Sequence, residues 1–207
     1  MSLESAPPPP ERPSGQRRRL LDDPLAIRAL AHPLRLELLS IVSRAAEITT
    51  ADAARELGIS HGLASHHLHQ LAKYGFVEQV GGKDNRERPW RIVHTSLELD
   101  PDPSPEGAAA GQVLEALAAE QGFERFVDWL NRRAQWPREW REQTGGGQST
   151  VYLTLAELTE LNATIRAAIT RYVEERPIDD VRTRPAGSIP INFTHFVVPL
   201  SAQPEES

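Results

Sequence analysis

Apolar residues return every three to four positions through most of this chain, and breaks in that period mark its turns and strands. Leu34, Leu38, Ile41, Val42 and Ala45 form one stripe and predict a helix with a single buried face. Thr50 is placed to N-cap a short helix, "ADAAREL", which Gly58 terminates. Ser60 is placed to cap the next helix, with Ala64, Leu68 and Leu71 inward and an end at Gly75. "FVEQV" at 76–80 then reads as a strand, "GGKDNRERP" as a flexible basic loop and "WRIVH" at 90–94 as a returning strand.

The second half has its own pattern. "AGQVLEALAAEQGFERFVDWLNRRAQW" predicts a long helix with Val113, Leu117, Phe123, Phe126, Val127 and Leu130 as apolar positions, stopped or kinked by Pro137. "TVYLTL" at 150–155 alternates as a strand. Thr154 and Glu157 make a capping box that opens a helix with Leu158, Leu161, Ile165, Ala168, Ile169 and Tyr172 on one face. "IPINFTHFVVPL" at 189–200 reads as a last strand, and "GGG" at 145–147 as a loop.

Punctuation divides the chain. Residues 1–16 have the Pro/Ser composition of a disordered tail, and "RRR" at 17–19 is either a solvated charge run or an arm that touches phosphate. "DPDPSPEG" at 100–107 holds three prolines, so neither helix nor strand is expected to run through it. The expected organisation is a tail at 1–16, a first domain at 17–99, a linker at 100–110, a second domain at 111–201 and a frayed end at 202–207. The class is mainly α with a small β content (α+β). Helix, short helix, three-residue turn, helix and β-hairpin follow one another in the first domain, which is the order of a winged helix-turn-helix.

Composition narrows the chemistry. The 207 residues include no Cys, which excludes disulfides, thiolate metal sites and cysteine nucleophiles. No apolar run approaches a membrane span and the Pro-rich start lacks a signal peptide's apolar core, so a cytoplasmic protein is expected. Net charge is −6, but it is unevenly spread. Residues 15–99 carry 12 Lys/Arg against 10 Asp/Glu, whereas residues 100–207 carry 10 against 17. The mildly basic first half is permissive for DNA, without the strong excess of a non-specific binder.

"HPLRLELL" at 32–39, "ELGIS" at 56–60, "SHHLHQL" at 65–71 and "GFVE" at 75–78 together resemble the arsenic-repressor-like (ArsR) family of bacterial transcription factors. The resemblance covers about 70 residues, from the first predicted helix through the hairpin. It implies that the helix at 61–74 lies in the DNA major groove, that the hairpin is the wing, and that a homodimer binds a roughly palindromic operator in double-stranded DNA. The family's minimal members stop soon after the wing, so the second half is an extension.

The residues agree with that implication. With Ala64, Leu68 and Leu71 inward, His61, Gly62, Ser65, His66 and His69 fall on or near the outer side, and His61, Ser65 and His69 form one strip at a four-residue step. Ser60 and Gly62 open the helix, where the N-terminal dipole favours a phosphate. His67 beside Leu68 reads equally well as a histidine packed partly inside. In the wing, Lys83, Arg86 and Arg88 are expected at DNA, with Arg91 on the strand less committed.

Four histidines in one helix also raise a metal site. They do not converge: His67 points roughly 100° from its neighbour and His61 lies more than a turn away. His94, Glu98 and Asp100 after the wing do not match the family's ligand spacing, and no metal or other cofactor is expected. In the extension, Phe123, Phe126, Trp129, Trp136 and Trp140 are either core and interface or the lining of a small-molecule effector pocket. No phosphate loop, nucleophile motif or paired-carboxylate signature suggests an enzyme. The expected function is a sequence-specific DNA-binding transcriptional regulator, a repressor, acting as a homodimer. The alternative is a repressor released from DNA by a metal or small molecule.

Overall fold

The computed structural model describes residues 18–81, 88–100, 102–178 and 180–200. The first half is built from short helices with explicit stops. Asp23 accepts from the Leu25 N–H and Pro24 occupies the first turn of α1 (Pro24–Leu30). His32 caps α2 (Pro33–Ala45) in the same way, its Nδ1 accepting from the Leu34 N–H at 3.2 Å.

Thr49, not Thr50, caps α3 (Thr50–Leu57), because its hydroxyl both accepts from the Asp52 N–H and donates to the Asp52 carboxylate. Thr50 becomes the first helical residue. Gly58 ends α3 with φ of 65°, a left-handed conformation that glycine adopts without steric cost. Ser60 caps α4 (His61–Lys73) by accepting from Leu63 N–H. The expected inward residues Ala64, Leu68 and Leu71 are fully buried.

The hairpin follows as β2 (Val77–Gln79) and β3 (Trp90–Ile92), antiparallel with Val77 opposite Ile92 and Gln79 opposite Trp90. Trp90 also exchanges both backbone hydrogen bonds with Ile48, which ties the hairpin to the start of α3. A second ribbon, which sequence reading did not anticipate, pairs β1 (Arg18–Leu21) in parallel with β4 (Ser96–Leu99). Together these elements close one core around Ile27, Leu38, Ile41, Leu68, Leu71, Phe76, Trp90 and Ile92.

The second half departs further from expectation. Helix α5 spans Pro105–Arg132, so it starts inside the proline-rich stretch expected to be non-helical. Ser104 caps it and Pro105 takes a first-turn position, where a missing N–H costs nothing. Its first turns pack on α1, and Ala110 and Leu114 join the core of the first half. A short 3-10 turn at Arg133–Gln135 leads through Pro137 to α6 (Arg138–Gln143).

Neither 150–155 nor 189–200 is a strand. Both have alternating sequences, but a strand needs a neighbour for its backbone ladder, and the two ribbons above are the only sheets among the described residues. Helix α7 (Leu155–Glu175) opens with the expected capping box of Thr154 and Glu157, yet none of its residues is buried. Among the described residues, no helix is long and apolar enough to cross a membrane.

Candidate nucleic-acid interface

Helix α4 divides its residues by period. Ala64, Leu68 and Leu71 face the core, while His61, Gly62, His66 and His69 are exposed and Ser65 is half-buried. His61, Ser65 and His69 thus share one side of the helix. A Cβ built on Gly62 would meet nothing within 4 Å, so the opening turn of α4 faces open space. Ser60 takes the Leu63 N–H, and the helix start carries the positive end of the α4 dipole, which favours an anion.

His69 is held where it stands. Its Nδ1 lies 2.8 Å from the Ser65 carbonyl oxygen, and its ring meets Trp90 at 5.1 Å in a near-perpendicular arrangement. Trp90 is buried and donates from Nε1 to the Thr50 hydroxyl at 2.9 Å. Helix α4 and the hairpin are therefore braced against each other at the outer strip. The role of Trp90 was missed in the sequence; a Trp opening a strand directly after a basic loop was the available signal.

His67 is inside. It is 8% exposed, its ring lies 4.7 Å from His32 and 5.2 Å from His66, and its Nδ1 is buried with no hydrogen-bond partner among the described residues. Burial, followed by the positive potential of His32, His66 and Arg35, lowers its pKa from the ordinary imidazole value. His32 is lowered as well, by burial and then by Arg35. In both cases the surroundings favour the uncharged ring.

Of the wing cations, Lys83 and Arg86 lie outside the described residues, and Arg88 is exposed. Arg91 is committed to an ion pair with Glu78 across the hairpin, at 2.8 Å. Arg19 of the "RRR" run is neither a solvated charge nor a phosphate arm. It donates to the Tyr74 carbonyl at the end of α4 and stacks over the Phe76 ring at 4.7 Å. Arg18 lies 3.7 Å from Glu98 on the paired strand.

The aromatic set of the extension separates. Trp129, Trp136 and Trp140 pack in sequence, at 5.2 Å and 6.1 Å between rings, where α5 turns into α6. Phe126 lies against Gly146, and Phe123 is exposed. A cavity of about 490 Å³ beside this corner is lined by Leu130, Arg133, Ala134, Arg138, Arg141 and Glu142, and by none of the five aromatics. No group of three or more His, Asp or Glu side chains among the described residues is arranged to hold a metal ion.

Residues 30–80 match the family described as a helix-turn-helix domain. Among solved structures, the chain is similar to wild-type MarR from E. coli in its apo form, at 18% identity over 72% of this chain and 88% of that one, with a TM-score of 0.30. It is similar at 17% identity to a mutant of the same protein complexed with operator DNA, covering 70% of this chain and 85% of that one with a TM-score of 0.30. The heme sensor protein PefR, in complex with heme and carbon monoxide, is 16% identical over 72% of this chain and 80% of that one, with a TM-score of 0.29. No curated protein matches the chain. The α2–α4 arrangement, the β2–β3 hairpin and the family match over 30–80 together make the first half of this chain a winged helix-turn-helix domain.

Proposed function

We propose that this chain is a sequence-specific DNA-binding transcriptional regulator, a repressor of the ArsR type that acts as a homodimer on a palindromic operator. The observation that carries this reading is the outer side of α4. It presents His61, Ser65 and His69 in one strip, beside the open start of the helix at Gly62 and braced through His69 against Trp90 of the hairpin. Polar side chains on a rigid helix are what major-groove readout requires, and wing cations suit phosphate or the minor groove. The net charge of −6 does not oppose this, since the acidic excess belongs to the second half.

The dimer is supported by apolar surface left uncovered in one copy. Val113 and Phe123 on α5 are 53% and 63% exposed, and Leu155 and Tyr172 on α7 are 81% and 49% exposed. A palindrome demands two α4 helices about 34 Å apart, which one copy does not provide. An effector acting through the extension is the second reading, favoured by the Trp129–Trp136–Trp140 corner and its neighbouring cavity.

The test is a mobility-shift titration of the full chain on genomic fragments with excess competitor DNA, paired with light scattering. Retained complexes on a few fragments and a dimer mass at micromolar concentration are expected. Equal binding to all fragments would refute sequence specificity, and a monomer would refute the palindrome.

A further inference from the structure

His69 is exposed, yet its ring is fixed from two sides. Its Nδ1 lies 2.8 Å from the Ser65 carbonyl oxygen, and its ring meets that of Trp90 at 5.1 Å and nearly at right angles. Trp90 cannot yield easily, being buried and tied through Nε1 to the Thr50 hydroxyl. A carbonyl oxygen only accepts, so Nδ1 carries the proton. The Ser65 hydroxyl oxygen, 3.4 Å from Nδ1, is then a second and longer acceptor for the same N–H. A neutral imidazole has one N–H, which leaves the lone pair on Nε2. Nε2 has no hydrogen-bond partner among the described residues.

We propose that His69 is a specificity-determining residue whose Nε2 accepts a hydrogen bond from an exocyclic amino group in the major groove, with cytosine preferred. This rests on the DNA-binding reading of α4. Guanine offers N7 and O6 in the major groove and thymine offers O4, all acceptors that a lone pair repels. Cytosine offers only its N4 amino donor, and adenine offers an N6 donor beside an N7 acceptor. A single acceptor satisfies cytosine completely and leaves adenine N7 unpaired, so adenine ranks second. The main-chain carbonyl at Ser65 selects the tautomer, whatever side chain that position carries.

The experiment is selection from a randomised duplex pool at pH 8, with the full chain and its His69→Ala and His69→Lys variants. The wild-type chain should show one position per half-site that prefers cytosine, then adenine. His69→Ala should lose about 5- to 100-fold of discrimination at that position alone. His69→Lys, which only donates, should move the preference there to guanine. An unchanged preference in His69→Ala, or an affected position that prefers guanine or thymine, overturns the proposal while DNA reading stands. Failure of the wild-type chain to select any sequence overturns both. The tautomer is read without DNA from the His69 ring nitrogens in a two-bond 1H–15N spectrum at pH 8. A protonated Nδ1 is expected, and a protonated Nε2 contradicts the assignment.

Discussion

His67 of α4 packs its ring 4.7 Å from that of His32, and His32 is the side chain that caps α2. The cap works only when Nδ1 of His32 keeps its lone pair for the Leu34 N–H. Arg35 and His66 add positive potential to the same cluster. The footing of α4 on α2 is thus built from two imidazoles that have to stay neutral.

Stability should therefore fall in mild acid. Both folded pKa values are lowered, so the unfolded chain takes up protons first and unfolding gains from each fall in pH. The contribution is complete above the ordinary imidazole value of 6.5 and is lost as pH drops from there toward the depressed folded values. Loss of the cap alone should cost about 1 kcal/mol. Urea unfolding at pH 8, 7, 6 and 5.5 measures it, and His32→Asn, which caps without titrating, should flatten the slope. A slope equal to wild type in that variant would exclude His32 as a source.

Thr50→Val should destabilise the chain by about 1–3 kcal/mol, because it leaves the buried Trp90 Nε1–H without its acceptor. It should also loosen the wall on which His69 rests, so operator discrimination should fall along with the melting temperature. Calorimetry and binding on the same sample separate the two effects. A melting point equal to that of the wild-type chain would deny the hydrogen bond any weight.

Ala46 closes α2 with φ of 64°, where a Cβ is strained. Ala46→Gly should stabilise the domain by about 1 kcal/mol, contrary to the usual cost of a glycine. Thermal unfolding decides the sign.

A Cβ on Gly122 of α5 would come within 2.7 Å of the Thr194 methyl carbon. Gly122→Ala should free the 189–200 segment and leave the first-half core intact, since that segment supplies none of the core. Proteolytic cleavage within 189–200 should quicken while α2–α4 stays resistant. Equal cleavage rates in both proteins would contradict the packing.

What the sequence reveals follows from how locally each element buries its apolar face. Ala64, Leu68 and Leu71 mark α4, Gly58 and Ser60 mark its turn, and the strip His61, Ser65 and His69 follows from the period alone. Alternation at 150–155 and 189–200 could not be told from a strand, because a strand also depends on a partner elsewhere in the chain. The β1–β4 pairing, the place of Arg19 over Phe76 and the His32–His67 contact join distant segments and leave no local signal. The His69 tautomer depends on a rotamer, which no spacing encodes.

The central claim is that α4 and the hairpin read DNA sequence. Capture of genomic fragments by the purified full chain, followed by sequencing, tests it most directly. A shared site should emerge, with two inverted half-sites centred about one helical turn apart, and Ser65→Ala should relax base preference within them. Fragments recovered in proportion to their abundance, with no shared site at any salt concentration, would contradict it.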